Sequence, residues 1–247
     1  EEIKGFVAVG VNPIRLYPDR EFATGGLEKV DFMVACDLFE TETTGLADVV
    51  LPLCSWAEYD GDYVNLEGRV QNSKRAIKPI EESKPAFEIA DAIAETFGKK
   101  LFQSNEERNK EINGLLKLNS IQPWPNEYLE VKAELPEIEQ GFPYPLFTGD
   151  DTHHSGHLTE RSQSLLNFCS EPYLELSEGL AQKLGIDDKE SVKVESPVGK
   201  IIVPARISEH LTGDAVFIPR NFSSTATTSL LMRKKRVDSV KITKLEE

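Results

Sequence analysis

The stretch "DFMVACDLFETETTGLADVVLP" (residues 31–52) decides the fold of the first part of the chain. Two short apolar runs, "DFMVAC" and "ADVVLP", flank a threonine-rich segment, and a similar run, "GFVAVG", begins at residue 5. Such runs are typical of strands buried on both faces of a parallel sheet. The helix-capable segment "REFATGGLEKV" lies between the first two strands, so the sequence predicts an α/β arrangement.

Polar residues follow two of these predicted strands at their carboxyl ends. The turn "VGVNP" (9–13) follows the first strand, and Asp37, Thr41 and Thr43 follow the second. Ligands of open parallel sheets bind at this edge, where an acid and hydroxyls suit a nucleotide base or ribose. The alternative is a threonine-rich turn that caps its own backbone, and local composition favours it.

Helices and then short strands follow along the chain. "KPAFEIADAIAETFG" places Pro85 in a first helical turn and Gly98 just past the end, and "SNEE" from residue 104 offers a capping box. Later, apolar residues in "SVKVESPVGKIIVPARIS" (191–208) alternate as in a β-hairpin. A short helix is predicted at 177–186, with Ser177 as N-cap and Gly185 at its end, and another strand at 214–219. Several short strands with one short helix favour a small β-barrel.

These patterns divide the chain into three predicted parts. Residues 1–118 form a partial α/β domain, and residues 142–247 form a β-barrel. The segment between them, 119–141, is proline-rich without a sustained period, so it reads as a linker or a surface strap.

Composition excludes several functional classes. The 247 residues are 39% hydrophobic and 28% charged, which indicates a globular protein. A net charge of −14 argues against a broad nucleic-acid surface, and no apolar run is long enough to insert into a bilayer. Three cysteines, Cys36, Cys54 and Cys169, form no CxxC pair, so we expect no iron–sulfur or zinc cluster here and a reducing compartment.

A histidine loop, "TGDDTHHSGHLTERS" (148–162), is the second candidate site. His153 and His157 are four residues apart, as on a metal-binding helix, but the glycines favour a loop and no HExxH motif is present. A loop with His, Thr, Ser and Arg donors suits a phosphate or a pterin better. Arg161 is able to pair bidentately with a phosphate.

The acid-rich stretch "LCSWAEYDGDYVNLEGRVQ" (53–71) is the third candidate. Glu58, Asp60, Asp62 and Glu67 resemble catalytic carboxylates, but acids spread over ten residues with glycines more often mark a solvated loop. We interpret this stretch as structural, packing domains together or facing a neighbouring subunit.

Taken together, several segments resemble the molybdopterin oxidoreductase superfamily. They are "VGVNP", "DLFETETTGLADVVLPLCSWAEYDGDYVNLEGRVQ", "TGDDTHHSGHLTERSQSLL" and "VFIPRNF", and their order and spacing are similar to those of the large iron–sulfur subunit of bacterial NADH–quinone oxidoreductase, respiratory complex I. The resemblance covers roughly residues 5–100 and 142–244. It implies that the barrel is of the double-psi, dinucleotide-binding type.

The resemblance also implies a position for a molybdopterin guanine dinucleotide. Family members that hold it place the "NP" turn and the "D-F-T-T" stretch near the dinucleotide, and the later loop near the second pterin. The corresponding residues here are Asn12, Asp37, Thr41 and Thr43, then Gly149, His153, Ser155, Thr159 and Arg161.

Two departures from the family pattern weaken the case for a bound cofactor. Asp150 stands where cofactor-binding members commonly carry arginine, and an acid there repels a pyrophosphate. Ser229 stands in place of a usual asparagine. We therefore expect these residues to be a vestigial pterin site with no cofactor, no metal and no catalytic residue in this chain.

The resemblance implies a C-terminal segment of a larger subunit, whose iron–sulfur clusters lie in an upstream part. We expect it to brace the peripheral arm of complex I, to contact other peripheral-arm subunits and to lie on the cytoplasmic side of the membrane. The first alternative is the cofactor-binding part of a formate dehydrogenase-like molybdenum or tungsten enzyme. A second alternative is a nucleotide-binding module that retains an inherited barrel.

Overall fold

A computed structural model gives two compact units. The first falls within Glu1–Asn12 and Val30–Lys132, and the second within Pro13–Lys29 and Ala133–Glu247. The domain boundaries expected from the sequence stay a prediction, and most of the predicted linker (119–141) lies outside the described residues. Within the described part, no helix is both long and apolar enough to span a membrane. The structure describes residues 3–67, 69–102, 104–116, 137–154, 156–168, 171–235 and 237–245.

The first unit contains a three-stranded parallel sheet. Its strands are β1 (Gly5–Val9), β2 (Phe32–Asp37) and β3 (Val49–Pro52), hydrogen-bonded in the order β1–β2–β3. Val34 of β2 lies opposite Val7 on one side and Val49 on the other. The parallel sheet expected from the three apolar runs is therefore confirmed.

Two helices follow this sheet in the chain, α3 (Ala86–Thr96) and α4 (Asn105–Leu116). Helix α3 begins after Pro85, and Gly98 adopts a left-handed φ of 67° just beyond its end, as its sequence indicates. Ile89 of α3 is buried against Cys36 and Leu53. The Ser104 hydroxyl accepts the Glu107 N–H at 3.2 Å, the bond of the expected capping box.

The expectation that the strands are buried on both faces is wrong for this sheet. Ala8, Met33 and Ala35 are buried on one face. On the other face Val7 is 60% exposed and Phe32 is 52% exposed. The physical reason is that, in the part of the chain that is described, only the Cys36 end of this second face is covered by α3.

The acid-rich stretch forms an exposed antiparallel hairpin. Its strands are β4 (Gly61–Val64) and β5 (Val70–Ser73). Trp56, which precedes this hairpin, is 62% exposed.

The second unit contains a closed six-stranded barrel, which confirms the predicted fold class. Its strands are β6 (Tyr144–Gly149), β7 (Leu174–Ser177), β8 (Ser191–Glu195), β9 (Lys200–Ser208), β10 (Val216–Pro219) and β11 (Asp238–Lys244), in the closed order β10–β6–β11–β8–β9–β7. Two of the strand pairs, β6–β10 and β7–β9, are parallel, and the other pairs are antiparallel. Closure removes the unpaired edges that an open sheet exposes.

Short helices surround this barrel. The α-helices of this unit are α1 (Pro13–Leu16), α2 (Arg20–Leu27), α5 (Gln163–Leu166) and α6 (Glu178–Leu184), and short 3-10 turns cover Thr159–Arg161 and Thr227–Leu230. Helix α6 begins at the Ser177 cap, whose hydroxyl accepts the Leu180 N–H, and ends at Gly185 with φ of 66°. These cap positions are the ones that the sequence indicates.

The barrel interior is filled by alternate residues of each strand. In β9, Ile201, Val203 and Ala205 are buried, whereas Ile202 between them is 60% exposed. Val192 and Val194 of β8 are fully buried opposite them. Burial of each such side chain stabilises the fold by about 1.5–3 kcal/mol, so the barrel core is the main source of stability in this unit.

Gly199 in the β8–β9 turn allows a close backbone approach. A Cβ added at this position would overlap the Ser229 carbonyl oxygen, whereas a Cβ added at Gly179 of α6 would meet no atom within 4 Å. We therefore expect Gly199→Ala to lower the free energy of unfolding by about 1–3 kcal/mol, because the backbone must shift. The matched control, Gly179→Ala, should be neutral or stabilising by up to about 1 kcal/mol. Urea denaturation followed by circular dichroism compares the two, and equal stability of both variants contradicts the close approach.

Candidate functional site

The carboxyl edge of the parallel sheet brings Asn12 and Thr43 together. The Asn12 amide donates to Glu42 Oε2 at 2.7 Å, and its Oδ1 accepts the Thr43 hydroxyl at 2.6 Å. Asn12 is 2% exposed and Thr43 is 1% exposed. Both side chains thus bond to protein groups in the interior and hold the turns that follow β1 and β2.

The other predicted residues at this edge also bond locally. The Thr41 hydroxyl accepts the Thr44 N–H at 3.2 Å, while the Thr44 hydroxyl donates to the Thr41 carbonyl at 2.9 Å. The Asp37 carboxylate accepts the Leu38 N–H at 2.7 Å. This is the self-capping turn that local composition favours, with the half-buried Asp37 and Thr41 side chains near its surface.

The acids of the hairpin stretch have structural partners. Buried Glu58 accepts the Ser55 N–H at 2.6 Å. Asp60 accepts the Arg75 N–H and a Lys74 ammonium proton, and these bonds, the Arg75 one foremost, lower its pKa. These two carboxylates therefore stabilise turns of the protein backbone.

In the second unit, Gly149 ends β6 where β10 runs beside it. The Gly149 carbonyl accepts the Arg220 N–H at 3.0 Å, and the Asp150 carboxylate accepts from Arg220 Nε at 2.9 Å. Both side chains of this ion pair are about half exposed, at 56% and 51%. The acid that departs from the family pattern is therefore paired with a guanidinium of the same barrel rim.

The two adjacent histidines of the loop have opposite environments. His153 is exposed, with its ring centroid 5.9 Å from that of Phe168. His154 is 1% exposed and packs edge-on against Phe222 at 4.4 Å. The sequence drew attention to His153, whereas the buried neighbour is the one that orders the loop.

Thr159 bonds to the His154 ring and to the backbone of the loop. Its hydroxyl lies 2.6 Å from His154 Nδ1 and 2.8 Å from the Gly156 carbonyl oxygen. Among the described residues, His154 Nε2 has no hydrogen-bond partner. Burial, the largest cause, lowers the pKa of His154, so the ring stays neutral near pH 7.

A buried ion pair lies beside these histidines. Arg15 of α1 donates from Nη1 to Glu160 Oε2 at 2.9 Å and from Nη2 to Glu160 Oε1 at 3.0 Å. The two side chains are 7% and 18% exposed. Arg15 Nη1 also lies 3.0 Å from His157 Nδ1, and because a guanidinium only donates, that nitrogen accepts.

Backbone groups complete the surroundings of this pair. The Ser223 N–H donates to Glu160 Oε1 at 2.6 Å, and the Asn221 carbonyl accepts from Arg15 Nη2. The Thr228 hydroxyl donates to the Arg15 carbonyl at 2.9 Å, which anchors α1. Burial alone raises the pKa of Glu160, but the bonds from Arg15 and Ser223 outweigh it and lower the pKa, so the group is a carboxylate.

A tyrosine tethers the start of the loop. The Tyr173 hydroxyl donates to Asp151 Oδ2 at 3.1 Å, and Arg206 lies 4.6 Å from the centre of its ring. Burial, followed by the charge of Asp151, raises the pKa of Tyr173 to about 12. The hydroxyl therefore keeps its proton and its bond at physiological pH.

The remaining predicted residues take different positions. Thr159 and Arg161 begin and end a 3-10 turn, with Thr159 half-buried and Arg161 exposed. Ser155 lies outside the described residues. Sequence reasoning missed Arg15, Glu160 and His154, although Arg15 follows the "NP" turn and the other two stand within the quoted loop.

Models of two protein families match the chain. The molybdopterin oxidoreductase model matches residues 1–96, and the molybdopterin dinucleotide binding domain model matches residues 147–245. The chain belongs to the molybdopterin oxidoreductase family. The match confirms the resemblance read from the sequence, and it places a dinucleotide-binding domain in the barrel unit.

Curated relatives include formate and NADH dehydrogenases. The chain is 32% identical to the F420-dependent formate dehydrogenase subunit alpha of Methanocaldococcus jannaschii, over 90% of this chain and 39% of that protein. It is 27% identical to a subunit of the NADH-quinone oxidoreductase of Rhizobium meliloti, over 91% of this chain and 28% of that protein. The chain thus spans well under half the length of these relatives.

A solved structure shares the fold. Acetylene hydratase from Pelobacter acetylenicus superposes with a TM-score of 0.76 at 18% identity, covering 98% of this chain and 44% of that one. At this identity the likeness supports the architecture of sheet and barrel.

Two arginines of the second unit are already paired with carboxylates. Cationic donors and backbone N–H groups bind the phosphates of a dinucleotide. Arg15 is held bidentately by Glu160, and Arg220 is paired with Asp150, so both are less suited to a pyrophosphate. Arg161 of the histidine loop is exposed.

Because the pKa of His154 is lowered on folding, the unfolded chain takes up a proton at higher pH than the folded one. Stability should be complete above the ordinary histidine pKa of about 6.5 and fall below it. We expect His154→Asn to be less stable at about pH 7.5 but to lose less stability down to about pH 5.5. Exposed His210→Asn is the control. Parallel pH dependence of all three proteins in urea titrations is evidence against a neutral, buried His154.

Proposed function

We propose that this chain is the C-terminal structural segment of the large iron–sulfur subunit of an NADH–quinone oxidoreductase. In that role it braces the peripheral electron-transfer arm and performs no chemistry of its own. The single observation that carries the proposal is the partly buried Glu160 carboxylate bound by Arg15 in the loop assigned to the second pterin.

Other bonds at the candidate site support a structural role. Asn12 and Thr43 satisfy one another in the interior of the first unit, and His154 with Thr159 orders the loop of the second. If these side chains bound a ligand instead, their present partners would be left as buried polar atoms without a hydrogen bond. Each such atom costs about 1–3 kcal/mol. Three of the residues expected near the dinucleotide, Asn12, Thr43 and Thr159, therefore take part in bonds within the protein.

The proposal includes partners and location. Other subunits of the peripheral arm would contact the chain, whose net charge of −14 suits basic partner surfaces or solvent. The exposed apolar face of the parallel sheet is compatible with further protein packing against it. The peripheral arm of the complex would lie on the cytoplasmic side of the membrane. The iron–sulfur clusters would be bound by the part of the subunit that lies upstream of this segment.

A second candidate is the cofactor-binding part of a formate dehydrogenase-like molybdenum or tungsten enzyme. The dinucleotide-binding family match and the 32% identity to a formate dehydrogenase subunit favour it. In that case Asp37 and Thr41 would face the nucleotide, and His153 and Arg161 would face a pterin.

Analysis of the native protein, purified under mild conditions from its own cells, separates the candidates. We expect molybdenum, tungsten and, after acid hydrolysis, GMP to be far below one per chain, because Arg15 and Arg220 are already paired with carboxylates of the protein. We also expect the protein to co-purify with NADH–ferricyanide reductase activity. Stoichiometric metal and GMP, together with formate-dependent dye reduction, would establish the second candidate instead.

A further inference from the structure

The Arg15–Glu160 pair has the geometry of an anion-binding site that is already filled. Three N–H groups converge on one carboxylate: two from the Arg15 guanidinium and one from the Ser223 backbone. A planar guanidinium with a neighbouring backbone N–H is a common way in which proteins bind phosphate or carboxylate anions. Here the bound anion comes from the chain itself.

We propose that Glu160 is a built-in anion that occupies a phosphate-type site formed by Arg15 and the Ser223 N–H, and that removal of its carboxylate opens this site to free anions. The inference rests on the proposed function, because a cofactor-free barrel leaves the guanidinium in need of an internal counter-charge.

The donors are held in place independently of Glu160. Thr228 fixes the Arg15 backbone at 2.9 Å, and the Asn221 carbonyl and His157 Nδ1 accept from the two Nη atoms. The last two bonds hold the Arg15 guanidinium in its orientation without Glu160. The Ser223 N–H belongs to a segment whose neighbour Phe222 is buried against His154. The site should therefore keep its shape when Glu160 is shortened.

The internal carboxylate should exclude a free anion from this site in the wild-type protein. The apparent affinity of a ligand is its intrinsic affinity multiplied by the fraction of molecules whose site is open. A bidentate ion pair that fills the site keeps that fraction small. Without the carboxylate the Arg15 charge has lost its anion, so an anion that binds the folded state should stabilise the protein.

The test compares Glu160→Ala with wild type and with Asp150→Ala, a matched loss of a carboxylate from the exposed Arg220 pair. Thermal unfolding is followed in inorganic phosphate, pyrophosphate, formate and chloride at equal ionic strength. We expect Glu160→Ala to melt lower in chloride and to recover part of its midpoint in phosphate, with an apparent affinity about tenfold or more above wild type. Wild type and Asp150→Ala should show only the smaller, general stabilisation that a kosmotropic salt such as phosphate gives over chloride.

A double variant, Glu160→Met with Arg15→Met, removes both charges and should keep only the wild-type difference between phosphate and chloride. If Glu160→Ala does not fold in chloride, its refolding yield in phosphate against chloride is the measurement, and a larger gain than in the double variant supports the site. Equal behaviour of Glu160→Ala in phosphate and chloride overturns the proposal, as does an equal phosphate response in the double variant.

This result is separable from the test of function. Stoichiometric molybdenum and GMP in the native protein would overturn the proposed function whatever the phosphate response of Glu160→Ala. Conversely, a missing phosphate response in a protein without metal or GMP would overturn only the internal-anion site.

Discussion

A guanidinium enclosed by protein needs an anion within hydrogen-bond reach, and the barrel rim is arranged around this requirement. Moving a cation out of water costs several kcal/mol, which good geometry and full hydrogen bonding are needed to offset. Arg15 meets both conditions through Glu160, His157 and the Asn221 carbonyl. One side chain thereby joins α1, the loop after β6 and the loop after β10, which are far apart in sequence. The position of each loop depends on the others.

Much of the fold could be predicted because its signals are local. Alternation in residues 191–208 defines which side chains fill the barrel, and Ser177 and Gly185 mark the ends of α6. Strands β6, β7 and β11 were not predicted from the sequence. Strand β6 pairs with β10 some seventy residues later, so its pairing leaves no local pattern. One face of the parallel sheet is exposed, although burial on both faces was expected. An apolar run shows that a strand can be buried, but it does not show whether another element covers it.

The site was predictable only where its bonds join neighbouring turns. Asn12 and Thr43 were expected at one sheet edge, and they meet there because parallel strands end on the same side. The Arg15–Glu160 bond spans 145 positions, and nothing around either residue distinguishes it from a solvated charge. Asp150 stands out in the sequence because it departs from a family pattern, whereas its pairing with Arg220 is visible only in the structure. Long-range charge pairs are thus the part of the site that sequence reasoning cannot supply.

The two candidate functions differ in where the counter-ion of the buried cation comes from. A bound phosphate must surrender its translational freedom and compete with water, whereas a carboxylate on the same chain is ordered by folding itself. Three donors on one carboxylate hold Glu160 in its ionised form despite its burial. The same rim also holds a buried His154, whose pKa is lowered by burial and whose Nδ1 lies 2.6 Å from the Thr159 hydroxyl. A carboxylate and a histidine that are bonded within the protein are compatible with the proposed structural role of the barrel.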